Sequence, residues 1–122
     1  MYKYEPPKAL IVHGMEYMRD ELVRAFRDAE GYVIYTANSA ELGKSMYVPY
    51  GVRGNGVVVI DPFLIGCDEA LDNIRARDPN PKIIVLHKDH TPESVVSQAN
   101  RLLGMDKPSL TEKVMSRLSI TA

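Results

Sequence analysis

Short continuous apolar runs alternate along the chain with longer stretches in which apolar residues recur every three or four positions. Residues 9–12 (ALIV), 57–60 (VVVI) and 83–86 (IIVL) are apolar without a break. That pattern belongs to strands buried on both faces. Residues 32–37 (YVIYTA) are β-branched and aromatic, and they predict a further strand. Between the first two runs, Met15, Met18, Leu22, Ala25, Phe26 and Ala29 fall at helical spacing, and Gly31 ends the helix.

Asn38 or Ser39 predicts the cap of a short helix through Leu42, and residues 45–56 (SMYVPYGVRGNG) read as a long loop. Asp68 predicts the cap of a helix carrying Ala70, Leu71 and Ile74, which stops before Asp78-Pro79-Asn80-Pro81. Thr91-Pro92-Glu93 is a helix start, with a capping side chain followed by a proline whose missing N–H is harmless there. That helix carries Val95, Val96, Ala99 and Leu103. A weak fifth strand is placed within residues 102–106. Ser109 to Glu112 has the form of a capping box, and Leu110, Val114, Met115 and Leu118 give a last helix its apolar stripe.

Strands buried on both faces and joined by helices imply a parallel sheet covered on each side. The expected fold is α/β: a flavodoxin-like, doubly wound, five-stranded parallel sheet of order 2-1-3-4-5. One domain over residues 1–122 is expected, with residues 1–7 a loosely ordered lead-in. In such a sheet the chemistry gathers at the carboxyl ends of the strands. His13, Asp61, His87 and Lys107 are thereby expected near one another.

Composition changes this picture little. Of 122 residues, 45% are apolar and 25% charged, the balance of a globular chain with a core. A net charge of −1 offers no basic field for nucleic acid. There is no apolar run long enough for a membrane span and no apolar signal core at the start. The lone cysteine, Cys67, excludes an internal disulfide and fits a reducing cytoplasm.

The order of these residues resembles the response-regulator receiver family over roughly residues 8–118. Residues 57–68 (VVVIDPFLIGCD) resemble the strand and loop that bear a phosphoacceptor aspartate, here Asp61. Residues 75–86 (RARDPNPKIIVL) resemble the approach to the fourth strand, and Lys107-Pro108 resembles the lysine–proline pair after the fifth. The departures are chemical. The family's magnesium-binding acidic pair is replaced by His13 and Gly14, which supply neither of the hard oxygen ligands. The switch hydroxyl is replaced by His87, and the following family proline and glycine by Ile65 and Glu69. The chain thus resembles the atypical, or pseudo-receiver, members.

The resemblance implies a non-enzymatic, cytoplasmic signalling or adaptor domain. It would act by protein–protein contact without phosphorylation or a cofactor. Its partners would be a histidine kinase, an output domain or a second copy. Two alternatives stay open. One is a working receiver phosphorylated on Asp61, with an unusual Mg2+ arrangement, Lys107 and His87 in supporting roles. The other is a small metal-binding domain using His13 and His87, since two imidazoles and a carboxylate suit a transition metal.

Two other motifs are weaker. Residues 38–45 (NSAELGKS) end like a phosphate loop but lack its first glycine, and residues 51–56 (GVRGNG) precede a strand instead of following one. Tyr47, Val48, Pro49 and Tyr50 read equally as a partner surface or as a loop folded back over the sheet.

Overall fold

The computed structural model describes residues 5–105. Lys107, Pro108 and the expected last helix lie outside the described residues. Four strands form one parallel sheet of order β2-β1-β3-β4: β1 (Lys8–Val12), β2 (Val33–Ala37), β3 (Gly56–Ile60) and β4 (Ile83–Val85). Helices α1 (Glu16–Asp28), α2 (Ala40–Met46), α4 (Cys67–Arg77) and α5 (Pro92–Leu102) link them, with a short helical turn α3 (Val52–Asn55) that is broken at Arg53 and Gly54.

The continuous apolar runs are explained by two cores. Successive side chains of a strand point to opposite faces. Ala9 and Ile11 of β1 and Val57 and Val59 of β3 therefore share one face, packed beneath Leu22 and Phe26 of α1 and Val95 and Ala99 of α5. Leu10, Val12, Val58 and Ile60 face the other way, onto Tyr47, Val52, Cys67, Leu71 and Ile74. Each buried Val, Leu, Ile or Phe among them contributes roughly 1.5–3 kcal/mol when taken out of water. A polar residue at any of these positions would oppose one core or the other.

The structure corrects several expectations. The fifth strand does not form over residues 102–105: α5 runs to Leu102, and Gly104 turns the chain in a left-handed conformation. The fold is accordingly α/β with four parallel strands among the described residues. Helix α2 extends to Met46, beyond Leu42, with Ser39 accepting a hydrogen bond from the Leu42 N–H. Asp68 does not cap α4. Gly66, with φ of 77°, precedes the helix, and Asp68 sits in its first turn where a negative charge suits the helix dipole. Met15 lies outside α1 and is exposed. Thr91 does cap α5, in a reciprocal pair of hydrogen bonds with Ser94.

Before β1, Pro7 is buried and its carbonyl accepts from the Val33 N–H at 2.9 Å. Tyr47 belongs to the core, whereas Tyr50 is half-exposed and packs against Tyr35. The loop thus folds back over the sheet at Tyr47.

Candidate functional site

Register places the candidate residues. Val12 of β1 pairs with Ala37 and with Ile60, and Ile60 with Val85. The next residue of each strand then stands at the carboxyl edge of the sheet. The ladder continues one step there: His13 N–H donates to the Ala37 carbonyl, and Asp61 N–H to the Val12 carbonyl, each at 3.0 Å. Leu86 N–H donates to the Ile60 carbonyl at 2.9 Å.

His13 is only 7% exposed. Its Nδ1 accepts the Met15 backbone N–H at 3.0 Å, and its carbonyl accepts Arg19 at 2.8 Å. Asp61 is partly buried, and its Oδ1 accepts the Phe63 N–H at 3.0 Å. The Asp61 Oδ2 lies 3.9 Å from His13 Nδ1. While Nδ1 accepts the Met15 N–H, it carries no proton on that side. The two acceptors then face each other without a hydrogen bond. The assignment of the neutral tautomer follows from that contact.

His87 belongs to the same rim but turns outward. Its side chain is 62% exposed, and its Nδ1 accepts the Asp89 N–H at 3.2 Å. His87 N–H donates to His90 Nδ1 at 2.9 Å, which leaves the His90 proton on Nε2 facing Gln98 Oε1 at 3.1 Å. Both histidines thus organise the β4–α5 loop. Among the described residues no group of three or more His, Cys, Asp or Glu side chains could hold a metal ion. Lys107 lies outside the described residues.

The sequence alone did not reveal a pocket. His13, Asp61 and His87 all line a cavity of about 180 Å³ whose walls are otherwise largely apolar, including Leu22, Leu86 and Val95. Phe63, 92% exposed, stands at its mouth, and Ile65, 97% exposed, follows in the same loop. Cys67 is buried at the start of α4, and burial pushes its thiol up. It is a packed thiol, not a reactive one.

The phosphate-loop motif also finds its explanation here. A Cβ at Gly43 would come within 2.7 Å of Val12 Cγ2. The glycine of Gly-Lys-Ser lets α2 lie against β1, and it is in mid-helix, where it cannot cradle a phosphate.

No family model matches the chain, and no curated protein matches it. Among solved structures, one described as a yeast Spc42 trimeric coiled coil, amino acids 181–211, fused to another structure superposes with a TM-score of 0.53. The two chains are 12% identical, and the match covers 98% of this chain and 97% of that one. At that identity the likeness concerns the fold alone. No helix among the described residues is long and apolar enough to cross a membrane.

Proposed function

We propose that the chain is a receiver-like signalling domain that works by contact with a protein partner and without phosphorylation. The parallel order 2-1-3-4, with Asp61 at the end of β3, supports the comparison with receivers. On this reading the four described strands are those of a flavodoxin-like sheet. The domain would act in the cytoplasm, with a kinase, an output domain or a second copy as partner.

One observation carries the loss of chemistry. At the end of the neighbouring β1 stands the buried His13, its Nδ1 3.9 Å from Asp61 Oδ2, and next to it Gly14. A receiver's magnesium would need carboxylate oxygens at those two positions, and phosphoryl transfer needs the metal to offset developing negative charge.

The test is a titration of the protein with beryllofluoride, a phosphoryl mimic, in millimolar magnesium, followed by amide NMR. No saturable change at Asp61 is expected. A saturable, magnesium-dependent change that disappears in Asp61→Ala would establish a working phosphoacceptor and overturn the proposal.

A further inference from the structure

The three histidines of the chain share one habit: each takes a backbone N–H at Nδ1. His13 takes it from Met15, His87 from Asp89, and His90 from His87. A ring that accepts there is neutral and keeps its proton on Nε2, whereas a protonated ring donates from both nitrogens. Gain of a proton therefore turns Nδ1 from acceptor to donor and breaks the bond to the N–H. At His87, 62% exposed, water stands ready to replace what is lost. His13 is only 7% exposed, and its Nδ1 lies between two groups of opposite kind. One is the Met15 N–H at 3.0 Å, the other Asp61 Oδ2 at 3.9 Å. The contact with Met15 matters for the fold. Met15 precedes α1 and brings no side-chain cap, and its carbonyl accepts the Arg19 N–H at 3.0 Å, at the start of the helix. The His13 ring thus holds the residue from which α1 begins.

We infer that His13 is a proton-operated switch for the start of α1: neutral, it holds the Met15 N–H; protonated, it releases Met15 and donates Nδ1–H to Asp61 Oδ2. The proton comes from solvent, and Asp61 stays ionised. A charge-assisted N–H···O bond is about 2.7–2.9 Å long, so a small turn of the ring and carboxylate closes the gap. A carboxylate oxygen accepts more than one hydrogen bond, and the exchange therefore needs no vacancy at Oδ2. The charges around the ring come from three elements. Asp61 follows β3, and Arg19 of α1 donates to the His13 carbonyl at 2.8 Å. From the β4–α5 loop, His87, Lys88 and His90 line the same cavity, in which Asp61 is the one carboxylate among the described residues. The switch goes beyond the signalling reading and does not depend on it. It gives the edge an input that needs neither phosphate nor metal.

The experiment is an NMR titration of the full chain from about pH 8 to pH 5, the span over which histidines change charge. At the alkaline end, ring nitrogen spectra should show His13 with a bare Nδ1. On acidification the Met15 amide proton should move upfield, as it does when a hydrogen bond is lost, with the same midpoint as the His13 ring. The Asp61 carboxyl carbon should shift at that midpoint too. In His13→Asn a side-chain oxygen replaces Nδ1 as a neutral acceptor, and the Met15 step should vanish. In Asp61→Asn the step should move to lower pH, because the neutral amide no longer favours a charged ring. The inference is overturned if Met15 stays fixed while His13 gains its proton, or follows His87 or His90 instead. A proton on Nδ1 at pH 8, or a His13 still neutral at pH 5, overturns it equally. These wild-type readings decide the matter even if neither variant folds. None of the outcomes bears on the beryllofluoride result.

Discussion

The Tyr47 hydroxyl donates a hydrogen bond to Asp78 Oδ2, and both side chains are buried. Asp78 Oδ1 meanwhile accepts the Asn80 N–H at 3.0 Å. The bond ties the turn after α2 to the loop between α4 and β4, two segments 31 residues apart. It also explains how a carboxylate survives beneath the sheet: each oxygen has a donor, and a buried charge with partners is tolerated where a bare one is not.

Tyr47→Phe should therefore destabilise the fold by about 1.5–3 kcal/mol, the range for a hydrogen bond to a charged group. The effect should depend on pH in a definite direction. The Tyr47 hydrogen bond, helped by the Asn80 N–H and opposed by burial, holds the Asp78 carboxyl below its ordinary value. A depressed carboxyl contributes stability above its unfolded value, near about 3.9, and loses it as pH falls through the lower folded value. Urea midpoints of wild type and Tyr47→Phe should differ fully at pH 6 and converge below about pH 4. A gap that stays constant to pH 3 would show that the variant loses packing, not a bond to a carboxylate.

Alkali should expose the opposite sign. Burial pushes the Tyr32 phenol up to about 12, and burial together with Asp78 pushes Tyr47 higher still. A raised phenol leaves stability intact below the unfolded value near about 10 and removes it as pH rises towards the folded one. Melting temperature should fall steeply between about pH 10 and 12. Tyr32 also donates to Asn100 Oδ1 at 2.7 Å. Tyr32→Phe should cost about 0.5–1.5 kcal/mol at neutral pH and yet flatten the alkaline slope. Melting curves of the two proteins at pH 7, 10 and 11 check both halves.

Gly43→Ala tests the contact between α2 and β1. Alanine is worth about 1 kcal/mol over glycine in a helix interior. Here its Cβ would press on Val12 at 2.7 Å, and Val12 is fixed in the core. Overpacking of this kind costs about 1–3 kcal/mol. A lower melting temperature is expected. A rise would mean that α2 can lift away, and that the glycine is retained for another reason.

The contrast between these residues shows what the sequence could and could not reveal. The strands were legible because each of their side chains enters one of two cores, leaving runs such as 57–60 with no polar residue. The nearness of His13 and Asp61 was legible too, because parallel pairing of β1 with β3 brings the following residues into line. Helix α2 was underestimated because Gly43 and Ser45 are poor helix formers, and what holds them is tertiary: the close approach to Val12. The role of Tyr47 was hidden because its partner, Asp78, is far along the chain. The outward turn of His87 depends on short hydrogen bonds within its own loop, which leave no periodic signal. The pocket is a property of walls contributed by three stretches far apart in the chain, and no local pattern announces it.

Placing a receiver's acidic pair at positions 13 and 14 tests the proposed reading of the site. His13→Asp with Gly14→Asp would set two carboxylates at the end of β1, beside Asp61. Gly14 is not among the glycines with positive φ, so its backbone conformation admits an aspartate. The one steric demand is modest: a Cβ there would meet Leu64 Cδ2 at 3.2 Å, the end of a flexible side chain that can give way. The double variant should therefore fold. Three clustered carboxylates repel one another, and the metal-free protein should melt below wild type. A divalent cation that binds only the folded state relieves the repulsion, and it stabilises by about 2.7 kcal/mol at a hundredfold excess over its dissociation constant. Magnesium should thus raise the melting temperature of the double variant and leave that of wild type unchanged. If the double variant folds and its melting temperature ignores magnesium, the edge around Asp61 does not have a receiver's shape. The likeness would then extend to the parallel sheet and stop short of the site.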